Sequence, residues 1–155
     1  MEDVLMLTDK TIALIKATLP VMQEHGEAIA AKTYEILFKH YPQTHPLFSK
    51  APANQPKILA RSVILYSEHI DNLAAINHIL DKIAQKHVSV DVHPGYYPMF
   101  GHSFILAMRE VLGKSVNEDV IMAWKEAYFY FAELLIQREQ ALSNPKQTQQ
   151  VAEIR

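Results

Sequence analysis

His87 closes an apolar run at helical spacing, Ile76, Leu80, Ile83, His87. An imidazole that points into an apolar interior needs partners for its nitrogens. In a chain without cysteine, the most useful such partner is a metal-bearing cofactor. Eight histidines form the metal-capable set. Against the ligand role stands a plainer one, a helix-end histidine bonded to a backbone carbonyl. Spacing leaves three candidates: His87, His102 with Met99, Ile105 and Leu106 at helical intervals, and His69 beside Leu65, Tyr66 and Asp71. His25, His40, His45, His78 and His93 read as loop or solvent-face residues.

A second chemical feature is Glu139, which continues the inner stripe of the last expected helix, where a carboxylate is unwelcome. Tyr97 points inward from the helix before it. One reading is a helix-end charge that reaches water beside a core tyrosine. The other joins the two: a carboxylate and a phenol that hydrogen-bond the far nitrogen of a metal-bound imidazole make it more electron-donating. Spacing alone favours the first.

Other chemistries find no support. No glutamate has a histidine three residues on, as a four-helix di-iron site requires, and the His-Glu-x-x-His zinc motif is missing. Four scattered glycines make no phosphate loop, and no strained nucleophile turn can be read. The lack of cysteine excludes disulfides, thiolate-bound zinc and iron–sulfur clusters. With 15 Lys+Arg against 17 Asp+Glu, the net charge of -2 gives no electrostatic footprint for nucleic acid. No window reaches the ~20 apolar residues of a membrane span, and the start Met1-Glu2-Asp3-Val4 lacks a basic secretory leader, so the cytoplasm is the expected compartment.

The elements that must position these residues read as all-α, because apolar residues recur at three- and four-residue intervals nearly throughout. A chain of 155 residues fits one domain. The expected boundaries are a domain over 1–142 and a polar tail over 143–155. A first helix is expected from Thr8 or Asp9 to near Gly26, kinked by Pro20. A second carries Ala30, Tyr34 and Leu37 and ends at Tyr41-Pro42. Four prolines between 42 and 56 mark a short turn of helix plus a loop. Asn54-Gln55-Pro56 opens the next helix, with Leu59, Val63, Tyr66 and Ile70 facing inward. A helix from about Leu73 to Val88 ends in the His87 stripe. After Pro94-Gly95, another bears Tyr97, Phe104, Met108 and Val111 and closes at Gly113. The last, roughly Asn117 to Leu142, keeps Ile121, Trp124, Tyr128, Ala132, Leu135 and Glu139 on one face.

The sequence resembles the bacterial haemoglobins of the flavohaemoglobin type, both their globin domains and their single-domain relatives. The segments that carry the resemblance are Thr11 to Thr18, Pro46-Leu47-Phe48, Gln55-Pro56-Lys57, Asp71-Asn72-Leu73, Lys82 to His87, Tyr97-Pro98, Ala123-Trp124 through Ala127-Tyr128, and Ile136-Gln137-Arg138-Glu139. They run in family order over about residues 8 to 142. The resemblance implies a globin fold around haem b, with His87 as the proximal iron ligand. It implies that Tyr97 and Glu139 are the proximal hydrogen-bonded pair, and that Tyr34 is the distal tyrosine that donates to the gas ligand. Phe48 would wedge the porphyrin, Leu59 would sit over the iron, and Gln55 would take the place of a distal histidine. Lys86 would be the basic residue that tunes the potential, and Trp124 and Tyr128 would be core residues.

The activity so implied is reversible O2 binding, with CO and NO as further ligands. NO dioxygenation would be supported by a separate flavin-dependent reductase, because nothing after Leu142 resembles a flavin or nicotinamide domain. An oxygen carrier or store, a haem-based gas sensor, and a haem-free packing module are the alternatives. The protein is expected as a monomer or homodimer.

Overall fold

The computed structural model describes residues 6–143, which form six α-helices and three short 3-10 turns, with no strand among them. Helix α1 (Asp9–Ala17) starts where the Thr8 side chain accepts a hydrogen bond from the Thr11 backbone N–H, satisfying one of the free donors of the first turn. It stops at Thr18, whose hydroxyl donates to the carbonyls of Leu14 and Ile15. Helix α2 (Leu19–His40) follows at once, with Pro20 in its first turn, where no intrahelical N–H bond is lost.

That junction departs from the sequence expectation of one helix running to Gly26 with a proline kink. Pro20 starts a new helix, and Gly26 lies inside α2. The glycine signalled close packing rather than a helix end: a Cβ there would stand 3.6 Å from the Ala60 Cβ and 3.9 Å from the Ile64 Cδ1.

A 3-10 turn over Pro42–Phe48 leads to helix α3 (Gln55–Glu68), again with proline in the first turn. Leu73–Ile76 is a 3-10 turn, so the expected helix from Leu73 becomes regular only at α4 (Asn77–Ser89). Between α4 and α5 (Tyr96–Leu112), Asp91 adopts a φ of 60°, a left-handed conformation that aspartate tolerates better than most residues. Gly113 ends α5 at a φ of 53° and a ψ of −125°, a conformation that glycine reaches without the cost a Cβ would add. Helix α6 (Glu118–Ser143) takes in Ser143. The rest of the expected polar tail, 144–155, lies outside the described residues.

Helix α2 packs against α3 and α5, and α6 against α1, α4 and α5. Two apolar clusters result. The larger centres on Ile15, Met22, Ile29, Phe104, Met108 and Trp124, and the smaller joins Leu80 and Ala84 of α4 to Ala132 and Leu135 of α6. Buried polar groups tie the helices where they cross: the Trp124 indole N–H donates to the Thr18 hydroxyl at 3.0 Å, and the Tyr66 hydroxyl donates to the Ala127 carbonyl at 2.7 Å. Such bonds leave no donor stranded in the core.

Replacing Gly26 with Ala is expected to stabilise the protein by about 0.5–1 kcal/mol, since the methyl makes ordinary contacts and relieves a mid-helix glycine. Urea unfolding checks this; a loss of stability would place a helix end at Gly26.

Candidate functional site

Three helices converge on one nitrogen. His87, in the last turn of α4, directs Nδ1 toward the Tyr97 hydroxyl at 2.9 Å and Glu139 Oε2 at 3.1 Å. Tyr97 comes from the first turn of α5 and Glu139 from the end of α6. The Tyr97 hydroxyl donates to the same Glu139 oxygen at 2.5 Å. Donor accounting then fixes the imidazole tautomer. The Tyr97 hydroxyl spends its hydrogen bond on the carboxylate and Glu139 Oε2 offers only lone pairs, so Nδ1 carries a hydrogen and shares it between two acceptors. The Nε2 lone pair is left available, on the far side of a ring that borders the cavity described below.

Glu139 is 7% exposed, so its carboxylate does not reach out to water. Burial, and then the neighbouring carboxylate, push the Tyr97 phenol far above its ordinary range and keep it a donor. The His87 carbonyl accepts from the Val92 N–H at 3.0 Å, tying the ligand's backbone to the following loop. Arg138 of α6 bonds Asp81 and Asn77 of α4 at 3.0 Å each, beside Glu139.

The cavity that His87 borders, of about 350 Å³, is also lined by Tyr34 of α2. Its hydroxyl accepts from Gln55 Nε2 at 3.0 Å, which leaves its own proton free to donate. Phe38, Phe48 and Phe100 hold the Tyr34 ring, with centroids 5.9, 5.1 and 6.2 Å away. Burial raises the Tyr34 phenol, partly offset by the Gln55 bond, so it too remains protonated. Leu59 and Phe48 complete this wall, and Lys82 and Lys86 line the cavity from α4.

Of the residues singled out from sequence, His87, Phe48, Gln55, Leu59, Lys86, Tyr34 and Tyr97 all line this one cavity, and Glu139 lies directly behind it. His69 and His102 do not. His69 bonds the Leu65 carbonyl through Nδ1, and His102 is exposed beside His40 and Tyr41 despite its apolar sequence neighbours. Sequence reasoning missed Phe100, Val92 and Phe131 as cavity wall. Phe100 and Phe131 sit on helices, where a side chain facing a cavity repeats like one facing a core, and Val92 lies in the loop after α4, where no periodicity marks it.

Residues 31–135 match the Globin family. The chain belongs to the globin family. It is 42% identical over 137 residues to an uncharacterised globin-like protein of Aquifex aeolicus, covering 88% of this chain and 97% of that one. To a flavohemoprotein of Halalkalibacterium halodurans it is 41% identical over 139 residues, covering 88% of this chain and 34% of that protein. This globin thus spans about a third of the length of the flavohemoproteins it matches. Among solved structures, a bacterial globin from Campylobacter jejuni superposes with a TM-score of 0.82 at 31% identity over 88% of this chain and 99% of that one. An engineered carbene transferase, from a Rhodothermus marinus protein proposed to be a nitric oxide dioxygenase, gives 0.85 at 33% identity over 89% and 96%.

The cavity fits a haem group by its chemistry. Its volume is within the ~300–1,000 Å³ range of ligand sites, its walls are mostly apolar, and its lining includes both the His87 imidazole and the Tyr34 hydroxyl donor.

Burial raises the phenols of Tyr34, Tyr66, Tyr97 and Tyr128 above their ordinary value of 10.0. Folding is therefore favoured fully below that pH, and this contribution is lost as pH rises beyond it, where the unfolded chain releases protons that the folded chain retains. Alkaline titration followed by tyrosinate absorbance should show these four of the seven tyrosines ionising only with unfolding. Complete ionisation of a still-folded protein would contradict the burial.

Proposed function

We propose that this globin binds haem b through His87 Nε2, holds O2 reversibly, and carries out NO dioxygenation with electrons from a flavin-dependent reductase outside the domain. The observation that carries the reading is the three-residue arrangement at His87 Nδ1, which fixes the imidazole's tautomer and leaves the outer nitrogen as a metal ligand. When bound, haem b supplies a ferrous iron for O2, CO or NO and the electron that NO dioxygenation uses in forming nitrate, after which ferric iron must be reduced again.

The chain's own residues prepare that chemistry. Tyr97 and Glu139 draw on the Nδ1 hydrogen, which shifts imidazole electron density toward Nε2 and strengthens its donation to a metal. Tyr34 offers its proton across the cavity, its oxygen held by Gln55, so the donor is set before a ligand arrives. Phe48 and Leu59 keep that side apolar and limit water. Lys86, next in sequence to the ligand, adds a positive charge that favours the reduced metal.

The similarity to flavohemoproteins supports the reaction assigned here. So does the flavohemoglobin from Malassezia yamatoensis, solved with bound FAD and heme; it matches 88% of this chain and 37% of its own at 26% identity, with a TM-score of 0.75.

Stopped-flow mixing of the O2-bound protein with NO should give nitrate and the ferric spectrum. An O2 complex indifferent to NO would leave an oxygen carrier or store instead. Tyr34→Phe removes a hydrogen bond worth about 1.5–3 kcal/mol to a charged partner, so O2 should leave roughly ten to a hundred times faster; an unchanged off-rate assigns the ligand to another donor. His87→Ala should abolish stable uptake of haem, read from the absorption spectrum after reconstitution. Wild-type pigment in that variant would remove the ligand assignment.

A further inference from the structure

His102, at helical spacing with Met99, Ile105 and Leu106, does not reach the cavity that His87 borders. It stands instead where α5 meets the end of α2, whose last residue is His40. The two imidazole rings are 6.4 Å apart between centroids and inclined at 40°. Tyr41 lies against both, with its ring centre 6.3 Å from each. Among the described residues, the imidazole nitrogens paired with protein atoms belong to His25, His69 and His87. Those of His40 and His102 are open to solvent, since both residues are exposed.

The backbones that carry this pair are fixed. The Tyr41 N–H, directly after His40, donates to the Leu37 carbonyl at 2.8 Å, and the Tyr41 carbonyl accepts from the N–H and the hydroxyl of Thr44 at 2.9 and 2.7 Å. His102 lies inside α5. One turn before it, Met99 Sδ accepts from Gln43 Nε2 at 3.7 Å, a second tie between the segment after α2 and this face of α5. A ligand shared by the two rings then costs little beyond their side-chain rotamers. Two imidazoles that hold one metal ion at ~2.0–2.1 Å per nitrogen have ring centres roughly 5–6 Å apart. Rotation of an exposed side chain between rotamers closes the small remaining gap. The carboxylates that line the α2–α5 cleft with His40, Glu35 and Glu110, each pair with Lys32 at 3.4 Å, which leaves the imidazoles as the ligating groups.

We propose that His40 and His102 form a binding site for a divalent late transition-metal ion such as Zn2+, which bridges α2 to α5 with water in its remaining coordination positions. Neutral imidazole suits ions of this class, whereas Mg2+ and Ca2+ call for oxygen ligands. The site is separate from the His87 cavity and does not depend on the function proposed for it. Because α2 carries Tyr34 and α5 carries Tyr97, the ion joins the two helices that bring these phenols to the cavity. An ion that binds the folded chain and not the unfolded one also stabilises the fold by mass action.

Calorimetric titration of the haem-loaded protein with Zn2+ tests this, with His87 already occupied and an added ion that has no redox chemistry of its own. Wild type is expected to take up one ion per chain in a saturable step, and its melting temperature to rise with Zn2+. His40→Gln and His102→Gln should each weaken binding by at least about tenfold, because each removes one of two protein donors, and His45→Gln should leave it unchanged. No saturable uptake, uptake undiminished in either single variant, or an equal loss in His45→Gln overturns the proposal. Zinc-edge X-ray absorption of the wild-type protein gives a check that needs no variant to fold. Two imidazole nitrogens bound to the ion support the bridge, and one or none refutes it.

Discussion

A carboxylate taken out of water must find partners for its charge, and Glu139 finds both of its partners on other helices. This requirement fixes more of the molecule than any single apolar contact does. For Glu139 Oε2 to meet Tyr97 and His87 together, α4, α5 and α6 must stand in one register. The ties around the site serve that end: Arg138 to Asp81 and Asn77 joins α6 to α4, and Tyr128 to the Tyr97 carbonyl joins α6 to α5. The exposed Arg138–Asp81 pair adds little energy by itself. Its value is geometric.

The two walls of the cavity are built on opposite principles. Behind His87 the polar atoms are paired with one another, and a single lone pair is directed inward. On the Tyr34 side the ring is enclosed by aromatic neighbours, and one proton is left unspent. Apolar side chains make up most of the lining around these few polar groups.

Helical class, most element boundaries and the inward faces could be read from periodicity, because burial enforces a repeat of three to four residues. The choice among His87, His69 and His102 could not. Periodicity reports which way a side chain points, whereas a ligand is defined by which nitrogen stays free, and that depends on Tyr97 and Glu139, ten and 52 residues away. Spacing alone favoured a solvent-seeking Glu139, since its compensating partners lie on other helices. Gly26 misled for a related reason: glycine marks both helix ends and close helix contacts, and only the position of Ala60 tells them apart. The family resemblance named the cavity residues together and placed Tyr128 with the core, where it packs against both apolar clusters.

Glu139 lies 52 residues after His87 and 42 after Tyr97. During synthesis, therefore, the imidazole of α4 and the phenol of α5 emerge long before their shared acceptor, and until it arrives nothing fixes which nitrogen of His87 bears the hydrogen. The hydrogen-bonded set behind His87 is therefore completed only when α6 packs against α4 and α5.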